Sequence, residues 1–205
     1  MVNSLLLSST VAEFVAQIDE LYGLYLDAAI GFENNVEMIR RGQAASPASS
    51  DASAFFIGDG APISPTNVLL HRTTQGEFKD RNRRDGRNYL IMARLFVVLV
   101  YHFWEIEYRP RIAKAAGLAD PNELKIPILG DLRLLRHEII HHKGQLSPDE
   151  RGRLEVLANL LPGEMVDLPK PAMSQVVSEL KAAMDSLVTT WTGEDPGHRA
   201  VLHVV

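Results

Sequence analysis

The feature that most constrains the fold is a helical repeat of apolar residues near the start of the sequence. Apolar side chains recur every three or four positions between residues 11 and 39, which is the period of an α-helix with one buried face. Thr10 and Glu13 have the spacing of a capping box at a helix start, and Gly42 follows as a stop. The pattern predicts a first helix of roughly 30 residues.

A second helix is predicted from Asn88, where the sequence becomes strongly apolar and has no turn residue for about 20 positions. Pro110 is expected to kink or break it. Residues 43–86, which separate the first two helices, are rich in Ala, Ser, Gly and Pro over their first part and are interpreted as a long loop insertion. Within this insertion, residues 67–74 are a candidate for a short extended piece.

Three more helices are predicted in the second half of the chain. They cover about 128–143, a run from Ser147 to about Leu161, and about 172–192. No segment has a firm strand pattern. We therefore expect an all-α fold over residues 1–205, a single-domain bundle of about five helices.

Composition excludes several classes of function. The chain has no cysteine, which excludes disulfides, thiolate metal sites and a cysteine nucleophile. The formal net charge is −5, so any contact with nucleic acid must be local. The start of the chain is a poor signal peptide, and the longest apolar run, residues 95–104, is shorter than the roughly 20 residues of a membrane helix. A cytoplasmic protein without membrane contact is expected.

Residues 134–144, LLRHEIIHHKG, can be parsed in two ways. The HExxH spacing from His137 to His141 is that of a zinc peptidase, in which two histidines one turn apart bind zinc and Glu138 activates water. Against this parse, no strands are predicted to build the usual sheet, the helix stops soon after His141, and Glu155 is the main helical candidate for a third ligand.

The other parse begins at Arg136 and ends at His141, an arginine and a polar residue followed by a histidine after four intervening positions. This motif, with its leucine-rich lead-in DLRLLR, resembles the HEPN family of small helical bundles. The resemblance implies a HEPN-like fold, a homodimer in which two motif helices share one cleft, and a metal-independent endoribonuclease without a cofactor. It also implies a toxin or defence role, with RNA as substrate and an antitoxin or operon partner.

The expected catalytic residues are Arg136, His137 and His141. Arginine grips phosphate, and histidine can act as base or acid near neutral pH. We therefore assign phosphate binding to Arg136, acid or base chemistry to His141 and a supporting role to His137, while Glu138 either orients an imidazole or lies outside the site. Two alternatives stay open, a catalytically silent HEPN-like binding or regulatory module and, less favoured, the HExxH zinc hydrolase.

Helix geometry gives a test that does not depend on the family. At about 100° per residue, a stripe is predicted to face the core, and it consists of Ile128, Leu132, Leu135, Ile139 and His142. Arg133, His137 and His141 fall on the opposite side. Leu134 and Ile140 flank them with apolar borders, which suggests a partner surface.

Overall fold

The computed structural model describes residues 2–60 and 67–193, and these residues are mostly helical. The α-helices are α1 Ser4–Ala45, α2 Gln75–Asn82, α3 Arg87–Phe103, α4 Arg109–Ala115, α5 Pro127–His141, α6 Pro148–Arg151 and α7 Lys170–Thr192. The strands are β1 Ala54–Asp59 and β2 Val68–Thr74. Helices make up 68% and strands 8% of the structure, so the predicted all-α class is confirmed.

Residue contacts group the chain into two units. The first comprises the residues up to Tyr25 and from Ala93 onward, and the second comprises Leu26–Met92. The helices α1 and α3 each contribute residues to both units.

The core of the first unit is built from the apolar faces of its helices. In α1, Phe14 is fully buried, and its ring centroid lies 5.4 Å from that of Trp104 and 4.8 Å from that of Tyr108. The helices α5 and α7 pack against each other. Their fully buried side chains include Leu132, Leu135, Met173, Val176, Leu180 and Met184. The predicted period of three and four residues therefore describes the buried faces of these helices.

The second unit contains a structure that the sequence did not predict. Strands β1 and β2 pair antiparallel, with a bulge between Ile57 and Gly58. At the end of β2, Thr74 caps α2, and its hydroxyl accepts a hydrogen bond from the N–H of Glu77. The segment 43–86, expected to be a long loop, thus contains a hairpin and a helix in its described part. The extended piece suggested at 67–74 is confirmed as β2.

The interruption expected near Pro110 takes the form of a π-helical turn. Residues Trp104–Tyr108 form this turn between α3 and α4, and Pro110 lies at the start of α4. Proline has no N–H to donate and its ring clashes with the carbonyl four residues earlier in an α-helix. A wider turn just before it relieves that clash, so the chain stays helical across the proline.

By length and composition alone, one helical run among the described residues, Gln75–Ala115, could cross a membrane. Many of its side chains, including Tyr89, Phe96, Val97 and Val100, are buried. The core helix of a soluble protein passes the same test, so the run is a weak indication of a membrane span.

The predicted fourth helix is much shorter than expected. It ends at Arg151 instead of continuing to Leu161. The reason is a tertiary contact, because the buried carboxylate of Asp131 accepts hydrogen bonds from three consecutive backbone N–H groups, those of Glu155, Val156 and Leu157, at 2.8–2.9 Å. These bonds replace the helical ones and attach this segment to α5.

Candidate functional site

The helix α5 carries the motif and ends in a fixed turn. Pro127 occupies its first position, and His142 is its C-terminal cap. The carbonyl of Glu138 accepts hydrogen bonds from the N–H of His142 at 2.9 Å and of Gly144 at 2.8 Å. Lys143 and Gly144 both have positive φ, 58° and 83°. Two left-handed residues thus end the helix, and the N–H of Gly144 bonds back to a carbonyl of the last helical turns.

Arg94, on α3, holds this turn in place. Its guanidinium donates to the carbonyls of Lys143 at 3.1 Å and of Val166 at 2.9 Å, and it pairs with Asp167 at 2.7 Å. The N–H of Val166 also donates a backbone hydrogen bond to the carbonyl of Gly144, at 2.7 Å. The end of α5 is therefore fixed by several independent contacts.

The exposed face of α5 brings two of the three expected catalytic residues together. His137 and His141 are exposed, and their ring centroids lie 4.7 Å apart. The ring of His142 lies 5.6 Å from that of His137 and is also exposed. The prediction that His142 faces the core is wrong, because the α-helix has already ended there. Three imidazoles thus stand together at the end of α5.

Glu138 lies beside these rings but is buried, with 3% of its side chain exposed. Its Oε1 is 3.9 Å from Nε2 of His137. Burial raises the pKa of the Glu138 carboxyl above its ordinary value, and a hydrogen bond with the Glu150 carboxyl raises it further. The hydrogen bond that Glu150 accepts from the Ser147 hydroxyl holds the pKa of Glu150 below its usual range. The two carboxyl groups therefore differ in their readiness to carry a proton.

Arg136, the third expected catalytic residue, points elsewhere. It is half-buried, and its Cζ lies 5.8 Å from the centre of the Tyr101 ring. Its Nε is buried without a hydrogen-bond partner among the residues that the structure describes. By helical geometry its side chain lies about 100° around α5 from that of His137. The structure does not place it with the histidines.

A cleft along the first part of α5 collects positive charge. It has a volume of about 660 Å³ and we call it the basic cleft. Its basic lining residues are Arg109, Lys125, Arg133 and Arg153. The aromatic rings of Tyr101 and Trp104 also line it. Burial raises the pKa of the Tyr101 hydroxyl and Glu105 adds to this, whereas the charges of Arg133 and Arg109 oppose it.

Two acidic residues, Asp131 and Glu155, line this cleft beside its four basic ones. The carboxylate of Asp131 is directed towards the three backbone N–H groups of residues 155–157. Glu155 is exposed and lines the basic cleft. Glu155 is therefore not grouped with the histidines, and the HExxH parse loses its main candidate for a third ligand.

Sequence reasoning missed the basic cleft because its residues come from several separate segments. Arg133 is the exception, since the helical projection already placed it with His137 and His141. In the structure Arg133 is exposed and lies one turn before His137. It is thus the arginine that shares a face with the histidine pair and also lines the cleft.

A comparison of the chain with known protein families, curated proteins and solved structures finds no match. The resemblance to the HEPN family therefore depends on the Arg136–His141 motif and on the all-α architecture.

Proposed function

We propose that the protein is a metal-independent endoribonuclease of the HEPN type that acts as a homodimer in the cytoplasm. The observation that carries the proposal is the arrangement along α5. Its exposed face bears His137 and His141 with ring centroids 4.7 Å apart, and Arg133, one turn earlier, continues into the basic cleft. Acid–base groups and phosphate-binding groups thus follow one another along a single helix.

The chemistry needs only these residue types. One neutral imidazole takes the proton from the ribose 2′-hydroxyl, whose oxygen attacks the adjacent phosphorus. The bond from phosphorus to the 5′-oxygen breaks, and a protonated imidazole gives its proton to that leaving oxygen. The products are a 2′,3′-cyclic phosphate and a free 5′-hydroxyl. His141 is assigned to acid or base, and His137 supports it.

The negative charge of the transition state needs cationic partners. A guanidinium stays charged and can bind two phosphate oxygens at once. Arg133 shares the histidine face, and Arg136 lies beside it on the same helix. We assign both to the RNA backbone, with Arg133 nearer the reacting phosphate. The remaining cations of the basic cleft bind flanking phosphates, which supplies the local contact that a chain of net charge −5 requires.

In the proposed homodimer, the exposed faces of two α5 helices meet, and each face bears His137 and His141. Ile140 lies on this face with 49% of its surface exposed, although it is a large apolar residue. A two-fold axis near Ile140 would bury it against its copy and bring two His137–His141 pairs into one cleft. An active site shared in this way doubles the acid–base groups available to one RNA strand.

The test is a cleavage assay in excess EDTA. Purified protein without a histidine tag is incubated with a single-stranded RNA and with the same sequence bearing 2′-O-methyl groups. We expect cleavage of the RNA alone, with cyclic phosphate ends. Cleavage of both substrates, or loss of cleavage in EDTA, would overturn the mechanism. RNA binding without cleavage would favour the silent HEPN-like module.

A further inference from the structure

Three residues of types that commonly bind metal ions lie close together at the end of α5. They are a different set from the two histidines of the HExxH spacing. The group consists of His137, Glu138 and His142, whose ligand atoms all lie within 4.8 Å of one another. Two imidazole nitrogens and one carboxylate form a donor set typical of zinc and related divalent transition metals. The group therefore has the right chemistry for a metal ion.

The distances are close to those of a bound ion. Zinc takes nitrogen and oxygen ligands at about 2.0–2.2 Å, so two atoms on one ion are at most about 4.2 Å apart. Nε2 of His137 and Oε1 of Glu138 are already 3.9 Å apart. The largest separation in the group, 4.8 Å, needs a shift of less than about 1 Å. Rotation of the exposed imidazoles supplies such a shift.

The turn after α5 explains why His142 belongs to this group. Its backbone leaves the helix at the cap, and the two hydrogen bonds to the Glu138 carbonyl hold it next to that residue. Arg94 fixes the following Lys143 carbonyl. Because the backbone is held on both sides, only side-chain torsions must be ordered when an ion binds.

The surroundings also favour a cation. A pocket of about 340 Å³ opens beside Glu138 and His142. Its lining includes the carboxylates of Glu138, Glu150 and Glu164, and no lysine or arginine is among the described residues that line it. A lining with this charge attracts a cation, and the opening leaves room for water ligands.

We propose that His137, Glu138 and His142 form a site for a divalent transition-metal ion of the zinc class. Glu150 lines the same pocket as Glu138 and His142 and adds negative charge beside the ion. We infer that the bound ion inhibits RNA cleavage. A histidine nitrogen that binds a metal has no lone pair for a proton, so a bound ion removes the imidazole of His137 that supports His141 in the proposed mechanism. This inhibition depends on the proposed nuclease function, whereas metal binding does not.

Metal binding is tested by calorimetric titration of untagged, EDTA-stripped full-length protein with zinc chloride alone. We expect one saturable site in the wild-type protein. His142→Ala and Glu138→Gln are expected to weaken binding by at least the roughly 10–100-fold that an outer-shell loss costs. His141→Ala is the matched control and keeps wild-type affinity. Circular dichroism checks folding, and His142, which is exposed, provides a variant that leaves the core intact.

Two binding results would overturn the site. One is the lack of saturable zinc binding by the wild-type protein. The other is wild-type affinity in His142→Ala together with loss in His141→Ala, which would move the ion to the HExxH pair. Each result is obtained without RNA, so it is independent of the nuclease assay.

The inhibitory role is tested by adding zinc to the cleavage assay. We expect zinc to slow RNA cleavage by the wild-type protein at the concentrations that saturate the calorimetric site, and to have a much smaller effect on His142→Ala. Stimulation by zinc would overturn inhibition. If the protein binds zinc as expected but cleaves no RNA under any condition, the proposed function fails and the metal site stands.

Discussion

At the level of single residues, the roles of the two arginines on α5 can be separated. Arg133 is exposed and lines the basic cleft, whereas Arg136 is half-buried against Tyr101. A contact that strengthens in the transition state affects the cleavage rate, and a peripheral phosphate contact affects mainly affinity. The structure therefore predicts unequal effects from the two substitutions.

Arg133→Ala is expected to reduce the RNA cleavage rate at saturating protein by about 100-fold, since it removes a charged donor near the reacting phosphate. Arg136→Ala is expected to weaken binding more than it slows this rate. The measurement is single-turnover kinetics over a range of protein concentrations. Arg111→Ala, in the exposed pairs with Glu13 and Glu107, is the control. Equal rates for Arg133→Ala and the control would contradict the assignment.

Glu77 gives a prediction about pH. The Thr73 hydroxyl and then the Thr74 N–H donate to its carboxylate and hold the pKa of Glu77 below its ordinary value of 4.5. A lowered folded-state pKa stabilises the fold above the unfolded value, and that contribution is lost as pH falls through the folded value. We expect NMR titration to place the Glu77 pKa below 4.5, and Thr73→Val to raise it. An unchanged pKa in Thr73→Val would refute the role of the Thr73 hydroxyl.

At the level of secondary-structure elements, the turn after α5 depends on glycine. Gly144 has φ 83°, and an added Cβ would lie 2.8 Å from Cζ of Arg94. That guanidinium is held by three partners. Gly144→Ala is therefore expected to lower the free energy of unfolding by about 1–3 kcal/mol, from backbone strain and displacement of Arg94.

Gly130→Ala, in α5, is the matched control. An added Cβ at Gly130 meets nothing within 4 Å, and alanine is favoured over glycine inside a helix. This variant should be more stable by up to about 1 kcal/mol. Urea denaturation of both variants checks the pair. Equal stability of Gly144→Ala and wild type would show that these contacts do not fix the turn.

Elements with a regular apolar period were predictable from sequence, and those created by contacts between distant residues were not. The helices α5 and α7 repeat buried residues over several turns, so the sequence predicted their bounds closely. The end of the predicted fourth helix was missed because Asp131 lies far from it in sequence. The hairpin was missed because its strands leave apolar residues such as Phe56 and Leu70 exposed, without the alternation of a half-buried strand.

The same distinction applies to the candidate site. The projection of α5 correctly placed His137 and His141 on its exposed face, because both lie within a regular helix. It misplaced His142, which follows the last helical residue and whose position is fixed by a turn and by Arg94. The basic cleft combines residues from α4, α5 and the segments beside them, and no periodicity within one element could reveal it.

At the level of the complete protein, the proposed mechanism requires association through the histidine face. Ile140→Glu is expected to shift the protein from dimer to monomer, since it places a charge in an apolar contact. Ile106→Glu is the control, because Ile106 is 65% exposed in the π-helical turn. Light scattering after size-exclusion chromatography gives the mass of each. A monomeric wild-type protein, or a dimer unaffected by Ile140→Glu, would contradict a dimer through this face.

The proposed function depends above all on RNA cleavage by the exposed histidines of α5 without a metal, and the decisive experiment is the single-turnover cleavage rate of His141→Ala in excess EDTA. His102→Ala, which removes an exposed histidine on α3, is the matched control. Loss of an acid–base group should slow His141→Ala by about 10²–10⁴-fold, while His102→Ala cleaves at the wild-type rate. If His141→Ala and His102→Ala cleave RNA equally fast, the histidine face of α5 is not the active site.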